Sequence, residues 1–194
     1  MATIDAQTEA AWRQRFKQFN RFMLFMWRLG FGKWVNSMPQ WSGQIMVIIH
    51  RGRKTGARRY TPVNFAELNG DLYCTAGFGP TSDWYKNVLS DPDVEVWLPD
   101  GWWSGTAEIV KEDMYRIQCL REVLNNSGFA APLFGVGPKN MTDEELDEAT
   151  SNYQLIHIRR VQPLTGPGGP GDLAWIWPAM TFFLLMILLR RRKK

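Results

Sequence analysis

Residues 44–68 read QIMVIIHRGRKTGARRYTPVNFAEL. The apolar, β-branched run over 44–50 has the length of a strand, and a second run of strand character covers 58–68. Between them five cations, Arg51, Arg53, Lys54, Arg58 and Arg59, crowd around Gly52 and Gly56. Asn69 and Gly70 follow, the pair that suits a tight hairpin turn, and lead into DLYCTA over 71–76. Three neighbouring antiparallel strands are therefore expected, the first two joined by a strongly basic bend.

The same signals extend outward. VEVWL over 94–98 and WWSGTAEIV over 102–110 read as a hairpin turning at 99–101, and YQLIHIRRV over 153–161 supplies a sixth strand. Helical stretches interrupt the series. SDWYKNVLSD over 82–91 opens on Ser82, a suitable N-cap, and residues 112–126 place Met114, Ile117, Leu120 and Leu124 at helical spacing. Thr142 with Glu145 has the pattern of a capping box. Six strands with helices between them predict a mainly β, α+β fold, a small closed or split barrel that hides its sheet edges.

The two ends of the chain differ from this middle. Residues 11–35 begin with helical period, placing Trp12, Phe16, Phe19, Met23, Met26 and Trp27 on one side and Arg13, Arg15, Lys17 and Arg21 elsewhere. A basic helix bearing aromatics suits a membrane interface over 12–29 as well as the flank of its own domain. PLTGPGGPGD over 163–172 has the composition of a flexible linker. Beyond it, residues 173–189, LAWIWPAMTFFLLMILL, carry no charge and run into RRRKK. A helix of this length spans about 26 Å, the short end of what crosses a bilayer. The expectation is a membrane-inserted tail, with spanning or shallow placement left open. The divisions are thus 1–37, an amphipathic helical segment; 38–162, the barrel; 163–172, the linker; and 173–194, the anchor with its basic end.

Charge is segregated. Residues 1–60 hold 11 Lys/Arg against 2 Asp/Glu, residues 61–150 hold 5 against 16, and residues 151–194 hold 7 against 1. A basic bend beside so acidic a middle is a poor grip for a long polyanion, so nucleic acid is not expected as a partner. Cys74 and Cys119 sit in apolar contexts and read as buried thiols, and His50 and His157 alone do not make a histidine-rich metal site. The first ten residues are polar and lack the apolar core of a signal peptide.

A Walker-type phosphate loop needs its Lys-Thr pair after the second glycine and a helix beyond; here the pair precedes Gly56 and a strand follows. A small phosphorylated or carboxylated cofactor suits the bend better. Gly52 and Gly56 allow a tight turn, and Arg53 and Lys54 supply charge. A second loop, TAGFGPTSDWYKN over 75–87, brings Gly77 and Gly79 to the same end of a neighbouring strand, where a flat ring can approach the backbone.

GRKTGARRYTPV together with NGDLYCTAGFGPTSDWYKNVLSDPDVEV resembles the deazaflavin-dependent nitroreductases, also called F-420-dependent quinone reductases, of the split-barrel, FMN-binding-like class. The resemblance covers roughly residues 12–161. It implies a reduced deazaflavin, coenzyme F-420, passing hydride to a quinone or another small lipophilic acceptor. It puts Arg53, Lys54, Thr55 and Gly56 on the phosphate end of the cofactor, with Arg59 behind them, and Thr61, Pro62 and Val63 along the ring. Ala76, Gly77, Phe78 and Gly79 would meet the ring from the second loop, with Trp84 and Asn87 shaping the pocket. Tyr60 is the candidate proton donor, against the plainer reading of a strand residue facing solvent. Ala76 stands where some relatives carry a substrate-contacting serine, so the resemblance does not extend to nitro-drug activation. FMN on the same barrel is the alternative cofactor, and a non-catalytic subunit of a membrane electron-transfer complex the alternative role. The expected setting is the cell membrane, with the barrel on its cytoplasmic side, as a homodimer or within a membrane complex.

Overall fold

A computed structural model of the chain describes residues 6–37, 39, 43–110, 114–133 and 135–191. Residues 1–5, the side chain of Trp12, residues 112 and 113 at the head of the expected second helix, and the final cations at 192–194 lie outside the described residues.

Six antiparallel strands close into a barrel in the order β1-β2-β3-β6-β5-β4. They are β1 (Ile45–Arg51), β2 (Arg58–Leu68), β3 (Asp71–Ala76), β4 (Asp93–Leu98), β5 (Gly101–Ile109) and β6 (Gln154–Pro163). The expected strands are all present, with β6 two residues longer at its end than its apolar pattern suggested. Asn69 and Gly70 take positive φ, 54° and 88°, which a two-residue hairpin of the right twist requires. Met46, Ile48, Phe65, Leu72, Cys74, Val96, Ile156 and Ile158 fill the barrel interior, contributed by alternate strand positions.

The helices are α1 (Ala6–Arg28), α2 (Gly32–Val35), α3 (Asp83–Ser90), α4 (Met114–Asn125), α5 (Ala130–Leu133), α6 (Asp143–Ala149) and α7 (Ile176–Arg191). α3 caps one end of the barrel through Tyr85 and Val88. Ser82 stands at its N-cap position but makes no side-chain cap bond, unlike Thr142, whose capping box with Glu145 is complete at 3.2 and 2.8 Å. Cys119, Leu120, Val123 and Leu124 of α4 build a second core on the barrel's flank with Ala66, Tyr73 and Leu155.

One seam decides where a ligand can go. β1 and β2 pair along seven positions, but β2 and β3 pair along only four, from Phe65 with Cys74 to Leu68 with Asp71. Beyond Phe65 the strands diverge: Arg58 to Asn64 stay on β1, while Thr75 and Ala76 follow β6. The Phe65 amide donates to Gln44 O on the β1 side at 3.0 Å. Alternation therefore turns the backbone of Asn64, Pro62 and Tyr60 towards the parted seam. Proline is tolerated there because no ladder partner waits for an N–H.

Two sequence expectations are corrected. The Gly/Pro stretch over 163–172 is a strap and not a loose linker: Leu164 N donates to Trp102 O, and Gly171 N to Trp27 O. Gly169 lies so close to the Trp102 indole that a Cβ would come within 2.8 Å of its ring. The tail helix starts at Ile176, because Asp172 is clamped by Arg28 at 2.7–3.1 Å and Leu173 N donates to Arg28 O. α7 is then 16 residues, about 24 Å, and among the described residues no helix is long and apolar enough to cross a membrane. None of its residues is buried.

Candidate functional site

The parted seam opens on a cavity of about 440 Å³. Thr61, Pro62 and Val63 form one wall and Gly77, Phe78 and Trp84 the facing one, while Phe16 and Phe19 of α1 roof it. Phe16 meets Phe78 edge-on at 5.8 Å, so α1 closes over the seam with its aromatic side. Of the two settings expected for this helix, a membrane interface or the flank of its own domain, the second is seen at Met23 and Trp27, which are buried against the barrel and α2.

A second cavity, about 650 Å³, adjoins the first and shares Thr61, Asp83 and Trp84 with it. Its lining is cationic: Arg53, Lys54, Arg58 and Arg59, with Thr55 and Asn87. Each volume lies in the range of small-molecule pockets, about 300–1,000 Å³. One chamber is walled by rings and strand backbone, the other by guanidinium and ammonium groups.

The five cations of the bend are not equivalent. Arg51 faces Asp91 at 3.7 Å and Arg58 pairs with Glu95 at 2.7 Å. Arg53 is committed to α3: its guanidinium donates to Asp83 Oδ1 (2.9 Å), Asp83 O (3.3 Å) and Asn87 Oδ1 (2.9 Å). That bond to Arg53 holds the Asp83 carboxyl below its usual range. Among the described residues Lys54 and Arg59 make no ion pair, Lys54 acting on Asp83 only through space, and both line the same cavity. The donor set fits a phosphorylated or carboxylated tail, and the adjoining apolar chamber fits a flat ring. Gly56 shapes the bend through its positive φ of 66° and lines neither cavity.

The remaining sequence candidates separate into two groups. Trp84 borders both chambers, and Asn87 the cationic one. Ala76 is 1% exposed and points into the barrel core, and Gly79 opens a short 3₁₀ turn backed against Asn152 O, so neither lines a cavity. Tyr60 packs its ring on Trp97 at 5.3 Å beneath the Arg58 guanidinium and borders only the cationic chamber. It is partly buried against Trp27 and Trp97 and not a solvent-facing residue.

His50, absent from the sequence candidates, is the residue that joins the parts. It is 3% exposed and borders the cationic cavity. Its Nε2 lies 3.1 Å from Thr61 Oγ1, and its Nδ1 3.3 Å from Asn87 Nδ2. Burial pushes its pKa below the ordinary histidine value; a hydrogen bond with the Arg51 backbone works against this, and the charge of Arg59 adds to it. A signal existed: His50 shares strand parity with the inward-facing Met46 and Ile48, and directly precedes the basic bend.

The family described as F420H(2)-dependent quinone reductase matches residues 27–132, more than half of the chain. No curated protein matches it in sequence. Among solved structures, a conserved hypothetical protein from Mycobacterium tuberculosis is 20% identical, with 62% of this chain and 75% of that one covered at a TM-score of 0.47. A reductase described as F420-H2 dependent (FDR-A) is 23% identical over 60% of this chain and 94% of its own, at 0.45. A 5-nitroimidazole antibiotic resistance protein, so titled, from Bacteroides thetaiotaomicron is 14% identical over 67% and 80%, at 0.44.

Proposed function

From the chain's membership of the F420H(2)-dependent quinone reductase family, we propose that its two adjoining cavities hold coenzyme F-420 and serve reduction of a lipophilic quinone. The protein is a deazaflavin-dependent oxidoreductase. The observation that carries the placement is the meeting of a chamber bordered by aromatic rings with a cationic one at Thr61 and Trp84. Reduced coenzyme F-420 supplies a hydride, and a quinone accepting it takes up a proton as well to become the hydroquinone.

The protein's part is position and exclusion of water. Lys54 and Arg59 would hold the anionic arm, since neither is spent in an ion pair among the described residues, and Arg53 keeps α3 against the bend. The unpaired edge of β2 at Pro62 and the indole of Trp84 fix the plane of the ring. Phe16 and Phe19 roof the chamber and keep bulk water from it. Replacing Lys54 and Arg59 together by alanine should weaken binding of oxidised coenzyme F-420 about ten- to a hundred-fold, the loss expected for charge-assisted bonds. Fluorescence titration measures this, and turnover with reduced coenzyme F-420 and menadione tests the chemistry. Binding without quinone-dependent oxidation would remove the quinone as acceptor. Tight FMN in the purified protein's absorption spectrum would replace the cofactor.

The proposal extends to location. α7 is apolar on every side and none of its residues is buried, which suits a helix surrounded by lipid rather than one seated on protein. Its root is tied to Leu29, just beyond α1, whose middle turns roof the chamber, so a quinone leaving lipid would move along α1 to reach it. On this reading the barrel would sit at the cytoplasmic face of the cell membrane. Flotation with anionic vesicles tests it: a chain that stays at the bottom of the gradient ends the claim.

A further inference from the structure

Two donors of Arg53 orient the Asn87 amide, and that orientation bears on how His50 meets Thr61. Asn87 Oδ1 accepts from Arg53 N (3.2 Å) and Arg53 Nη1 (2.9 Å), so its amide nitrogen must be the atom facing His50. That nitrogen only donates; His50 Nδ1, 3.3 Å away, must therefore be the bare, accepting nitrogen. A neutral imidazole then carries its proton on Nε2 and donates it to Thr61 Oγ1 at 3.1 Å. With its oxygen so occupied, the Thr61 hydroxyl has its own hydrogen free to point elsewhere, and Thr61 stands where the 440 Å³ chamber meets the cationic one that His50 borders.

We propose that His50 is a positioning residue that holds the Thr61 hydroxyl as a hydrogen-bond donor into the ring chamber, selecting a ligand edge that presents an acceptor, a carbonyl oxygen or a bare ring nitrogen. The selection of a deazaflavin edge rests on the proposed function; the relay itself does not. Asn87, 6% exposed, and His50 are both shut away from bulk water, so no solvent molecule competes to reverse the direction. Burial of the imidazole agrees with a neutral ring. The relay also explains why Arg53 is spent on α3. Without its two N–H groups on Asn87 Oδ1, the amide could flip and the whole chain of donors would run the other way.

Two measurements decide it. Nitrogen NMR of the protein without cofactor reads the tautomer: a proton on Nε2 of a neutral His50 is expected at neutral pH, and one on Nδ1, or on both nitrogens, overturns the relay. Fluorescence titration with oxidised coenzyme F-420 reads its consequence. Thr61→Val and His50→Leu should each weaken binding about three- to ten-fold, the loss of one hydrogen bond. The double variant should be no weaker than the worse single one, because both remove the same donor. Thr61→Ser should bind as the parent does. Additive losses, or a serine variant as weak as the valine one, overturn the proposal. Should the protein bind no coenzyme F-420 at all, the functional assignment fails, while the tautomer, and its shift in Thr61→Val, still decide whether His50 governs the hydroxyl.

Discussion

α1 and α7 both bring bulky apolar side chains to the end of the chain on which they lie, and they meet opposite fates. α1 is interrupted by Arg15, Lys17, Arg21 and Arg28, yet buries Met23 and Trp27 and roofs the ring chamber. α7 has no charge before Arg190, and every apolar side chain from Phe182 to Leu189 is exposed. Hydrophobic content does not decide burial. Period does: a stripe one helix-face wide can be matched by a single barrel wall, whereas a helix apolar all round asks for surroundings on every side. The two helices touch at their ends, where Trp177 Nε1 donates to Leu29 O at 3.0 Å and its ring meets Phe31 at 5.4 Å.

The contrast can be broken at its strongest point by Trp27→Ala. Trp27 is 1% exposed and packs on Trp97, so its truncation should cost about 3–5 kcal/mol in urea unfolding. A cost below about 1 kcal/mol would mean that α1 is as loosely held as α7. Next comes the strap between them: Gly169→Val forces side-chain atoms into the Trp102 indole and should destabilise by about 1–3 kcal/mol.

Acid sharpens the comparison further. The pKa of folded His50 lies below the ordinary value of 6.5, so as pH falls through that value the unfolded chain takes up a proton that the folded one refuses. Stability should therefore decline on the acid side of 6.5. His50→Gln should flatten that decline, and removal of the tail should leave it unchanged; denaturant midpoints between pH 7 and 5 read both. The smallest effect belongs to α7. Deleting residues 181–194, beyond the Trp177 contact, should move the unfolding free energy by less than about 0.5 kcal/mol while abolishing vesicle flotation.

What was legible in the sequence follows the range of the forces involved. Alternation over 58–68 and the Asn69-Gly70 pair announce β2, its turn and β3, since strand period and positive φ are local demands. The cluster of cations is plain in the sequence, but not that Arg53 serves α3 while Lys54 and Arg59 make no ion pair: that depends on Asp83 and Asn87, some thirty residues further on. The strap reads as loose because glycine and proline lack local preference for order, and the carbonyls of Trp27 and Trp102 that hold it are distant in sequence. His50 draws notice in the sequence only as one of two histidines too few for a metal site; its three-dimensional neighbours, Thr61 and Asn87, are what give it a place in the site.

Pro62 has one more consequence. A strand zipper closes one amide at a time, and at the fork between β2 and β3 the next outward amide but one is missing a hydrogen. The seam carries its own stop, written into the covalent chain rather than maintained by a wedge of side chains. The slot for a flat guest thus stays ajar in the empty protein, and no folding energy has to be spent on prising it open.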